Sequence, residues 1–400
     1  MKNNSSPNDR YSHEILLLPS LFLSRFATQP HGLIAGLLLI DIGNTFGCPL
    51  GVAGQIQTFS FINSVVFALL LGILSVRFKQ KSLLMMGLVF FSISAMGCFL
   101  APNFNTMLLL YSLSGLGMAI VPAMCSTIVG EHLPLEKRSN AIGWILAGGA
   151  FSYLVGAPVI NFLAGHGGWR FAFIGFMLPI SLASLTIVFV SIPFTPNNQE
   201  NKMRGGNYLE GFKNIFSNKS ATACLLGSTL SMAAWEANLI YMASFLRQRF
   251  LIPTGLVSIL LSGLSLCFIF GSLSSGYLVN RFGRKSFTVL ATFLLGILTI
   301  IYLNLNIFWL STILLLFVCI FAGMRYAASD SLTLEQIPEF RGTMMSINSA
   351  AANLGSSMGA GLGGLSLLLS GYSGLGVSLG ALGISGAIVY HLLTTDPTKK

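Results

Sequence analysis

Two ten-residue stretches decide the fold: GILSVRFKQK at residues 72–81 and GYLVNRFGRK at residues 276–285. Gly, Leu, Arg, Phe and Lys recur at the same places in both stretches, at an offset of 204 residues. A second pair, EHLP at 131–134 and EQIP at 335–338, repeats at the same offset. Two separate motifs at one spacing indicate that the chain is an internal duplication.

The composition excludes an ordinary soluble protein. Of the 400 residues, 54% are hydrophobic and 8% are charged, and the mean hydropathy is +0.77. Soluble domains carry about 25% charged residues, so a soluble enzyme, a disordered chain and a coiled coil are excluded. The net charge of +10 does not indicate a nucleic-acid partner, because the basic residues fall in gaps between apolar runs, as in cytoplasmic loops of membrane proteins.

Twelve apolar runs are long enough to cross a bilayer, which takes about 20 helical residues. Backbone groups in lipid need partners within their own segment, so each run is predicted to be helical. The sequence thus predicts an all-α membrane protein with twelve transmembrane helices in two pseudo-symmetric six-helix halves, at residues 1–193 and 221–400, joined by a cytoplasmic linker at 194–220. The predicted spans are 15–39, 54–76, 81–101, 104–130, 140–164, 171–193, 221–246, 254–280, 285–305, 307–331, 341–369 and 372–394.

Lysine and arginine residues indicate the orientation. With the N-terminus inside, 17 of them lie on the inner side of the membrane and three on the outer side. Because cytoplasmic loops carry the excess of basic residues, both termini are predicted to be cytoplasmic. Short loops and the lack of an appended domain favour a multi-pass protein of a bacterial-type inner (plasma) membrane.

The stretch at 276–285 resembles the loop signature G-x-L-x-D-R-x-G-R-K of the major facilitator superfamily, with Asn280 in the place of the acid. Further similarities are Pro134 with Arg138, Gly156-Ala157-Pro158, and Gly167-Gly168-Trp169-Arg170. The resemblance implies a secondary active transporter whose halves rock about a site near the membrane midplane. It also implies that spans one, four, seven and ten line the central cavity. The overall likeness is to the efflux-type, drug/proton antiporter-like branch.

In that family the basic loop latches onto neighbouring helix ends and biases the inward-facing against the outward-facing state. Arginine suits a latch because its planar fork of donors binds carboxylates and helix-end carbonyls. Asp330, Glu335 and Glu131 are partners by location, and the alternative is a charge cluster that only fixes orientation. The predicted latch residues are Gly72, Arg77, Lys81, Gly276, Arg281, Arg284 and Lys285.

Small residues recur at helical spacing in two spans. Small residues four apart let helix backbones touch in lipid, and static packing is favoured over a moving hinge. The predicted packing residues are Gly355, Gly359 and Gly363 in span eleven, with Gly156 and Pro158 in span five.

Three charged residues lie within spans: Arg25, Glu236 and Arg325. A charge at the centre of a spanning helix costs about 2.5–3.5 kcal/mol, so it is normally paired or lines a wet cavity. The three charges fall on three of the four helices that line the cavity in the family. The predicted cavity and substrate residues are Arg25, Gln29, His31, Trp235, Glu236, Asn238, Tyr241, Arg325 and Tyr326.

Glu236 is the predicted proton-coupling residue. When Arg25 or Arg325 moves away from it in one state, its carboxylate can take up a proton. The alternative is a permanent ion pair. Either arginine is predicted to bind an anionic group of the substrate, unless the head of Arg325 extends into the cytosol. His31, beside a kink expected at Pro30, is a proton relay or a hydrogen-bonded core residue. Six aromatic side chains are predicted to stack on a substrate, and the alternative is that they pack against neighbouring residues. They are Trp144, Phe151, Tyr153, Trp235, Tyr241 and Tyr326.

The predicted function is secondary active transport by alternating access, with proton-coupled export of a small organic metabolite or drug-like compound favoured. Two export patterns are broken, because Tyr111 stands where many exporters carry arginine and Ala157 replaces a glycine. The alternatives are proton-coupled uptake of a small anionic nutrient and, in another class, a transporter-like membrane sensor. No Walker motif, catalytic set or metal-ligand spacing occurs, so neither an enzyme nor a cofactor is predicted. The expected partners are the substrate, H+ and the lipid bilayer, with a monomeric assembly.

Overall fold

The computed structural model describes residues 7–133, 135–192 and 204–397, and every regular element in these ranges is helical. The first part contains α1 (Pro7–Phe26), α2 (Pro30–Leu37), α3 (Leu39–Phe46), α4 (Leu50–Ala53), α5 (Gln55–Arg77), α6 (Gln80–Leu100), α7 (Phe104–His132), α8 (Leu135–Ala172), a π-helical segment (Phe173–Met177) and α9 (Leu178–Ser191). The second part contains α10 (Arg204–Ser217), α11 (Lys219–Phe250), α12 (Thr254–Phe282), α13 (Arg284–Asn304), α14 (Phe308–Leu334), a 3₁₀ turn (Pro338–Phe340) and α15 (Arg341–Leu393). The all-α prediction is confirmed.

The helix boundaries repeat the offset found in the sequence. Helix α6 covers residues 80–100 and α13 covers 284–304, so both ends are displaced by 204 residues. Helices α7 and α14 begin at residues 104 and 308, again 204 apart. The duplication seen in two short motifs therefore extends to whole helices.

Asparagine side chains fix the starts of two long helices. The Asn103 side chain accepts a hydrogen bond from the backbone N–H of Thr106 at the start of α7, at 2.9 Å. Asn218 accepts from the backbone N–H groups of Ser220 and Ala221 at the start of α11, at 3.0 and 3.1 Å. These caps satisfy N–H groups that have no partner within the helix.

Eight helical stretches of the described chain are long and apolar enough to cross a membrane. Two of them, Ala141–Ser191 and Pro338–Leu393, each hold two spans, because they bend at glycines with positive φ. Gly168 has φ 72° and Gly371 has φ 63°, a region that residues with a Cβ rarely adopt. The two remaining predicted spans are the interrupted first span and the polar helix α11.

The first predicted span is interrupted where the sequence predicts a kink. Helix α1 ends at Phe26 and α2 begins at Pro30, whose ring nitrogen has no hydrogen to donate. The carbonyl that Pro30 leaves without its helical donor is that of Phe26, and it accepts from the Gln29 backbone N–H at 3.2 Å. The Thr28 hydroxyl caps the neighbouring Arg25 carbonyl at 2.7 Å. The predicted end at residue 39 is too early, because α3 continues to Phe46.

The chain packs as two units. Unit 1 contains Met1–Ile34 and Val66–Gln199, and unit 2 contains Ala35–Val65 and Glu200–Lys400. Residues 35–65 precede the predicted linker in sequence but pack with the second unit. This division follows contacts rather than the repeat, so the halves at 1–193 and 221–400 stay a prediction.

Glycines of span eleven pack directly against the backbone of α11 in unit 2. A Cβ at Gly355 or Gly359 would overlap the carbonyl oxygens of Thr229 and Ala233, respectively. In unit 1, a Cβ at Gly156 would lie 2.8 Å from Leu33. The other predicted packing residue of span five, Pro158, is exposed, and α8 continues through it.

We expect Gly359→Ala to destabilise the protein by about 1–3 kcal/mol, because the added methyl forces two helix backbones apart. The matched control is Gly276→Ala, since a Cβ there meets no described atom within 4 Å. Alanine at that helical position is expected to be neutral or to stabilise by about 0.5–1 kcal/mol. Thermal unfolding of the purified variants checks this, and equal melting temperatures would refute the packing assignment.

Candidate functional site

Glu236 lies near the middle of α11 in unit 2 and has no hydrogen-bond or ion-pair partner among the described residues. Its side chain is half-buried, whereas the neighbouring Trp235 is 6% exposed. A permanent ion pair, the alternative role for Glu236, is therefore not present within the described part of the chain. An unpartnered carboxylate at membrane depth is costly, so the position suits a group that binds and releases a cation or a proton.

Arg325 on α14 is fully buried in unit 2, with 1% of its surface exposed. Its Nη1 donates to Ser231 Oγ at 2.8 Å, and its Nη2 lies 3.0 Å from Met232 Sδ. Asp330 on the same helix interacts with it electrostatically, without a direct ion pair. The side chain therefore does not extend into the cytosol, which was the alternative role for this residue.

A row of aromatic rings connects α11, α12 and α14. Trp235 stacks on Phe268 with ring centroids 5.4 Å apart, and Phe268 meets Tyr326 edge-on at 6.4 Å. The Arg325 guanidinium lies 5.8 Å from the Tyr326 ring centroid. The structure thus brings together three predicted site residues, Trp235, Arg325 and Tyr326, within one unit.

Asn238 and Tyr241 use their polar atoms in helix packing. Tyr302 donates to Asn238 Oδ1 at 2.5 Å, and Asn238 Nδ2 donates to Thr299 Oγ1 at 3.3 Å. The Tyr241 hydroxyl donates to the Ala360 carbonyl at 3.1 Å. These contacts tie α11 to α13 and α15, and a cavity role for the two residues stays a prediction.

Sequence reasoning missed a buried polar cluster next to Arg325. Ser329 and Tyr390 share a hydrogen bond of 2.7 Å, and Asn348 Nδ2 donates to Asp330 Oδ1 at 3.1 Å. The one available signal was Asp330, an acid five positions after an intramembrane arginine. Serine, tyrosine and asparagine gave no signal, because the contacts that form the cluster join residues 61 and 18 positions apart in the sequence.

Arg25 and Gln29 lie in unit 1 around the interruption of the first span. Arg25 is half-buried, its Nη1 lies 3.5 Å from Thr28 Oγ1, and its buried Nε has no partner among the described residues. Gln29 Nε2 donates to Thr28 Oγ1 at 3.2 Å. Both side chains face α8 at Gly149, where a Cβ would lie 3.3 Å from Gln29 Nε2 and 3.7 Å from Arg25 Nε.

His31 is packed in the core of unit 1, with 3% of its surface exposed. Its ring lies 5.7 Å from Phe91 and 5.9 Å from Tyr111, and the Tyr111 hydroxyl donates to the His31 carbonyl at 3.0 Å. Its Nδ1 is buried and has no partner in the described part of the chain. These contacts favour a core histidine, and they show that Tyr111 serves packing at the position where exporters carry arginine.

The basic loops bind the end of the last helix of each repeat. In unit 1, Lys81 Nζ donates to the carbonyls of Phe189 and Ile192 at 2.7 and 2.5 Å. In unit 2, the backbone N–H of Lys285 donates to Asp396 Oδ2 at 3.3 Å. Ile192 and Asp396 are 204 residues apart, as are Lys81 and Lys285, so the contact is repeated with the duplication.

The expected carboxylate partners of the latch are otherwise engaged. Glu335 pairs with Arg341 at 2.6 Å, and Asp330 accepts a hydrogen bond from Asn348. Arg281 lies over the ring of the adjacent Phe282, at 5.7 Å. Gly276 makes no close helix contact among the described residues, since a Cβ there would meet no described atom within 4 Å. The surroundings of Gly72 and the side chains of Arg77 and Glu131 lie outside the described part, and Arg284 Nη1 is buried without a described partner.

An ion pair that the sequence did not reveal joins α3 to α11 within unit 2. Arg247 Nη1 and Nη2 donate to the two carboxylate oxygens of Asp41 at 2.6 and 3.1 Å, and Nη1 also reaches the Leu37 carbonyl at 3.2 Å. A nearby close contact supports this packing, because a Cβ at Gly51 would overlap the carbonyl oxygen of Gly364. The available signal was that Asp41 is the one acid between residues 15 and 130.

Metal-ligating groups do not converge in the part of the chain that the structure describes. No three His, Cys, Asp or Glu side chains lie close enough there to hold a metal ion. The six cysteines are free thiols. Unit 2 therefore offers the unpaired carboxylate of Glu236, the buried Arg325 and aromatic rings, and unit 1 by itself offers Arg25.

Comparison with known proteins places the chain in a recognised family. A model of the Major Facilitator Superfamily matches residues 17–249 and 224–400. An uncharacterized MFS-type transporter of Bacillus subtilis, YbcL, is 26% identical over 378 residues, covering 92% of each chain. The cis,cis-muconate transport protein of Acinetobacter baylyi is 24% identical, covering 68% of this chain and 67% of its own.

The fold also matches solved structures. A bacterial homologue of the human lysosomal transporter Spinster, crystallised in an inward-facing and unoccupied conformation, superposes with a TM-score of 0.80 at 17% identity and covers 98% of both chains. This match confirms the predicted fold class of twelve membrane helices in two six-helix halves.

Proposed function

Because the chain belongs to the major facilitator superfamily and is a multi-pass membrane transporter of that type, we propose that it couples the movement of a small organic molecule to a proton gradient. Transport proceeds by alternating access, as in the solved relatives of this fold. The coupling residue is Glu236. This proposal goes beyond family membership, since the family includes carriers of many compounds.

The observation that carries the proposal is the Glu236 carboxylate, half-buried in a membrane helix without a partner among the described residues. An ionised carboxylate is unfavourable at membrane depth. Uptake of a proton removes the charge, so the free energy of the carrier changes with protonation. That dependence is what a transporter needs to link proton movement to substrate movement.

A second observation supports a class of cargo and a direction of transport. Arg25 offers unpartnered donors in unit 1, and the relative from Acinetobacter baylyi is named for an organic diacid. Both favour an anionic cargo, which a proton gradient drives inward by symport. Export of a small organic metabolite was the first prediction from the sequence. It would use the same coupling residue, with the proton moving inward while the cargo moves outward. The proposal includes a bacterial inner membrane as the location, with both termini cytoplasmic.

The test is flux into proteoliposomes that contain the purified protein, with cis,cis-muconate and a panel of neutral metabolites as labelled cargo. We expect one compound to accumulate against its gradient only when a pH gradient is imposed, and a protonophore to abolish that accumulation. The side of the membrane that must be acidic gives the direction. Binding without counterflow would reject transport in favour of a sensor, and accumulation insensitive to the pH gradient would reject proton coupling.

A further inference from the structure

Arg25 is an intramembrane cation whose own packing unit supplies no acid at membrane depth. The sequence contains no Asp or Glu at residues 16–34, 66–130 or 137–199, which hold the spans of unit 1. Asp41 lies nearby in sequence but is paired with Arg247 in unit 2. Glu14 precedes Arg25 by 11 residues on α1, about 16–17 Å along the helix. Among the described residues of unit 1, therefore, no ion pair neutralises this charge.

The guanidinium also has unused hydrogen-bonding capacity. It carries five N–H donors, of which one makes a long 3.5 Å contact to Thr28 and another, Nε, is buried without a described partner. Buried polar groups are normally satisfied, so the unpartnered Nε of Arg25 indicates a missing hydrogen-bonding group.

Aromatic surface lies close to the guanidinium. The absence of a side chain at Gly149 lets α8 approach Arg25 and Gln29 closely, since a Cβ there would lie 3.7 Å from Arg25 Nε and 3.3 Å from Gln29 Nε2. On α8, Phe151 is 48% exposed, and its ring lies 6.4 Å from both Phe22 and Phe26, the phenylalanines that flank Arg25 on α1. A flat apolar body can pack against these rings while an anionic end reaches the guanidinium.

Arg325, the other candidate for an anion-binding residue, is already engaged. Its terminal nitrogens contact Ser231 and Met232, and Asp330 offsets its charge. It is also 1% exposed, whereas Arg25 is half-buried. Of the two intramembrane arginines, Arg25 is thus the one with both a free charge and free donors.

We infer that Arg25 binds the carboxylate of the cargo, and that the cargo is a small organic acid with a flat aromatic or unsaturated body. The inference rests on the proposed transport function and names its substrate class. A guanidinium binds a carboxylate through two parallel N–H···O bonds, which a neutral amide cannot reproduce. Arg25 would therefore select an acid over its amide.

The test measures equilibrium binding to purified full-length protein in lipid nanodiscs, without any pH gradient. The probes are the matched pairs benzoate and benzamide, and nicotinate and nicotinamide, with inorganic phosphate as a separate probe. We expect at least one acid to bind the wild-type protein, and its amide to bind more weakly by a factor of roughly ten or more. Arg25→Gln is expected to weaken binding of the acid roughly 10- to 100-fold. Arg25→Lys, which keeps the charge but not the fork, is expected to lose less than Arg25→Gln.

The matched control is Lys213→Gln, which removes an exposed cation on α10 and is expected to leave affinity unchanged. The Arg25 variants are compared with wild type by thermal unfolding, so that loss of binding is separated from loss of folding. Equal affinity for acid and amide, unchanged acid binding in Arg25→Gln, binding of phosphate alone, or no binding of any acid would each overturn the inference. Acid binding without proton-driven flux would reject the proposed coupling and leave the carboxylate site standing.

Discussion

Replacing Glu236 with Gln is expected to abolish proton-driven accumulation of the cargo while preserving its exchange across the membrane. A glutamine keeps the size and the neutral hydrogen-bonding character of a protonated glutamate but cannot release a proton. With one proton per cargo molecule, each pH unit supports about tenfold accumulation in the wild type. In Glu236→Gln the accumulation ratio falls to about one, while counterflow of labelled cargo continues.

The control for this variant is Glu236→Asp, which keeps a titratable group on α11 and is expected to retain measurable coupling. Proteoliposome flux with and without an imposed pH gradient gives both quantities in one experiment. Because the structure shows no described partner for Glu236, the substitution removes no ion pair and is expected to leave the fold intact. Undiminished accumulation in Glu236→Gln would show that another group carries the proton.

Reversing one charge of the Asp41–Arg247 pair is expected to slow transport roughly tenfold or more, and reversing both is expected to restore most of the rate. Asp41 lies in the predicted half at 1–193 and Arg247 in the predicted half at 221–400, although both pack in unit 2. We propose that this contact breaks and re-forms as the predicted halves move. The pair is bidentate, and the side chains of Arg247 and Asp41 are 15% and 39% exposed. Because of this exposure, the contribution of the ion pair itself to stability is modest. Two like charges held next to each other cost more free energy than the loss of the pair. A cost of about 1.4 kcal/mol in the state that contains the contact already changes the population of that state tenfold.

The measurement is the initial rate of counterflow for Arg247→Asp, Asp41→Arg and the double variant, analysed as a double-mutant cycle. Arg249→Asp is the matched control, since Arg249 lies one half-turn away on α11 and forms no described ion pair. We expect that control to stay near the wild-type rate. If the counterflow rate of the double variant is no higher than that of the slower single variant, the Asp41–Arg247 contact does not control the transport rate.

The helices of this chain could be predicted closely because lipid leaves the backbone no alternative. Predicted spans at 81–101, 254–280 and 307–331 correspond to helices at 80–100, 254–282 and 308–334. Apolar length and backbone satisfaction decide such segments locally. The first span was predicted less well, since α3 continues past Asp41, whose charge is compensated by Arg247, 206 residues away in sequence.

The candidate site shows the same division between local and long-range information. Rarity alone singled out Arg25, Glu236 and Arg325, because charges in membrane helices are costly. Their partners could not be read from the sequence, since contacts such as Arg325 with Ser231 join residues 94 positions apart. Location alone likewise suggested Glu335 as a partner of the basic loop, whereas the structure pairs it with Arg341.

Infrared difference spectroscopy of the protein in lipid observes the protonation of Glu236 itself. On passing from an alkaline to a mildly acidic medium, we expect a carbonyl band of a protonated carboxylic acid to appear in the wild type. The same band is expected to shift when cargo is added and to be missing in Glu236→Gln. A band of equal size in Glu236→Gln, or no protonation change in the wild type over the range in which transport is coupled, would show that Glu236 is not the proton site.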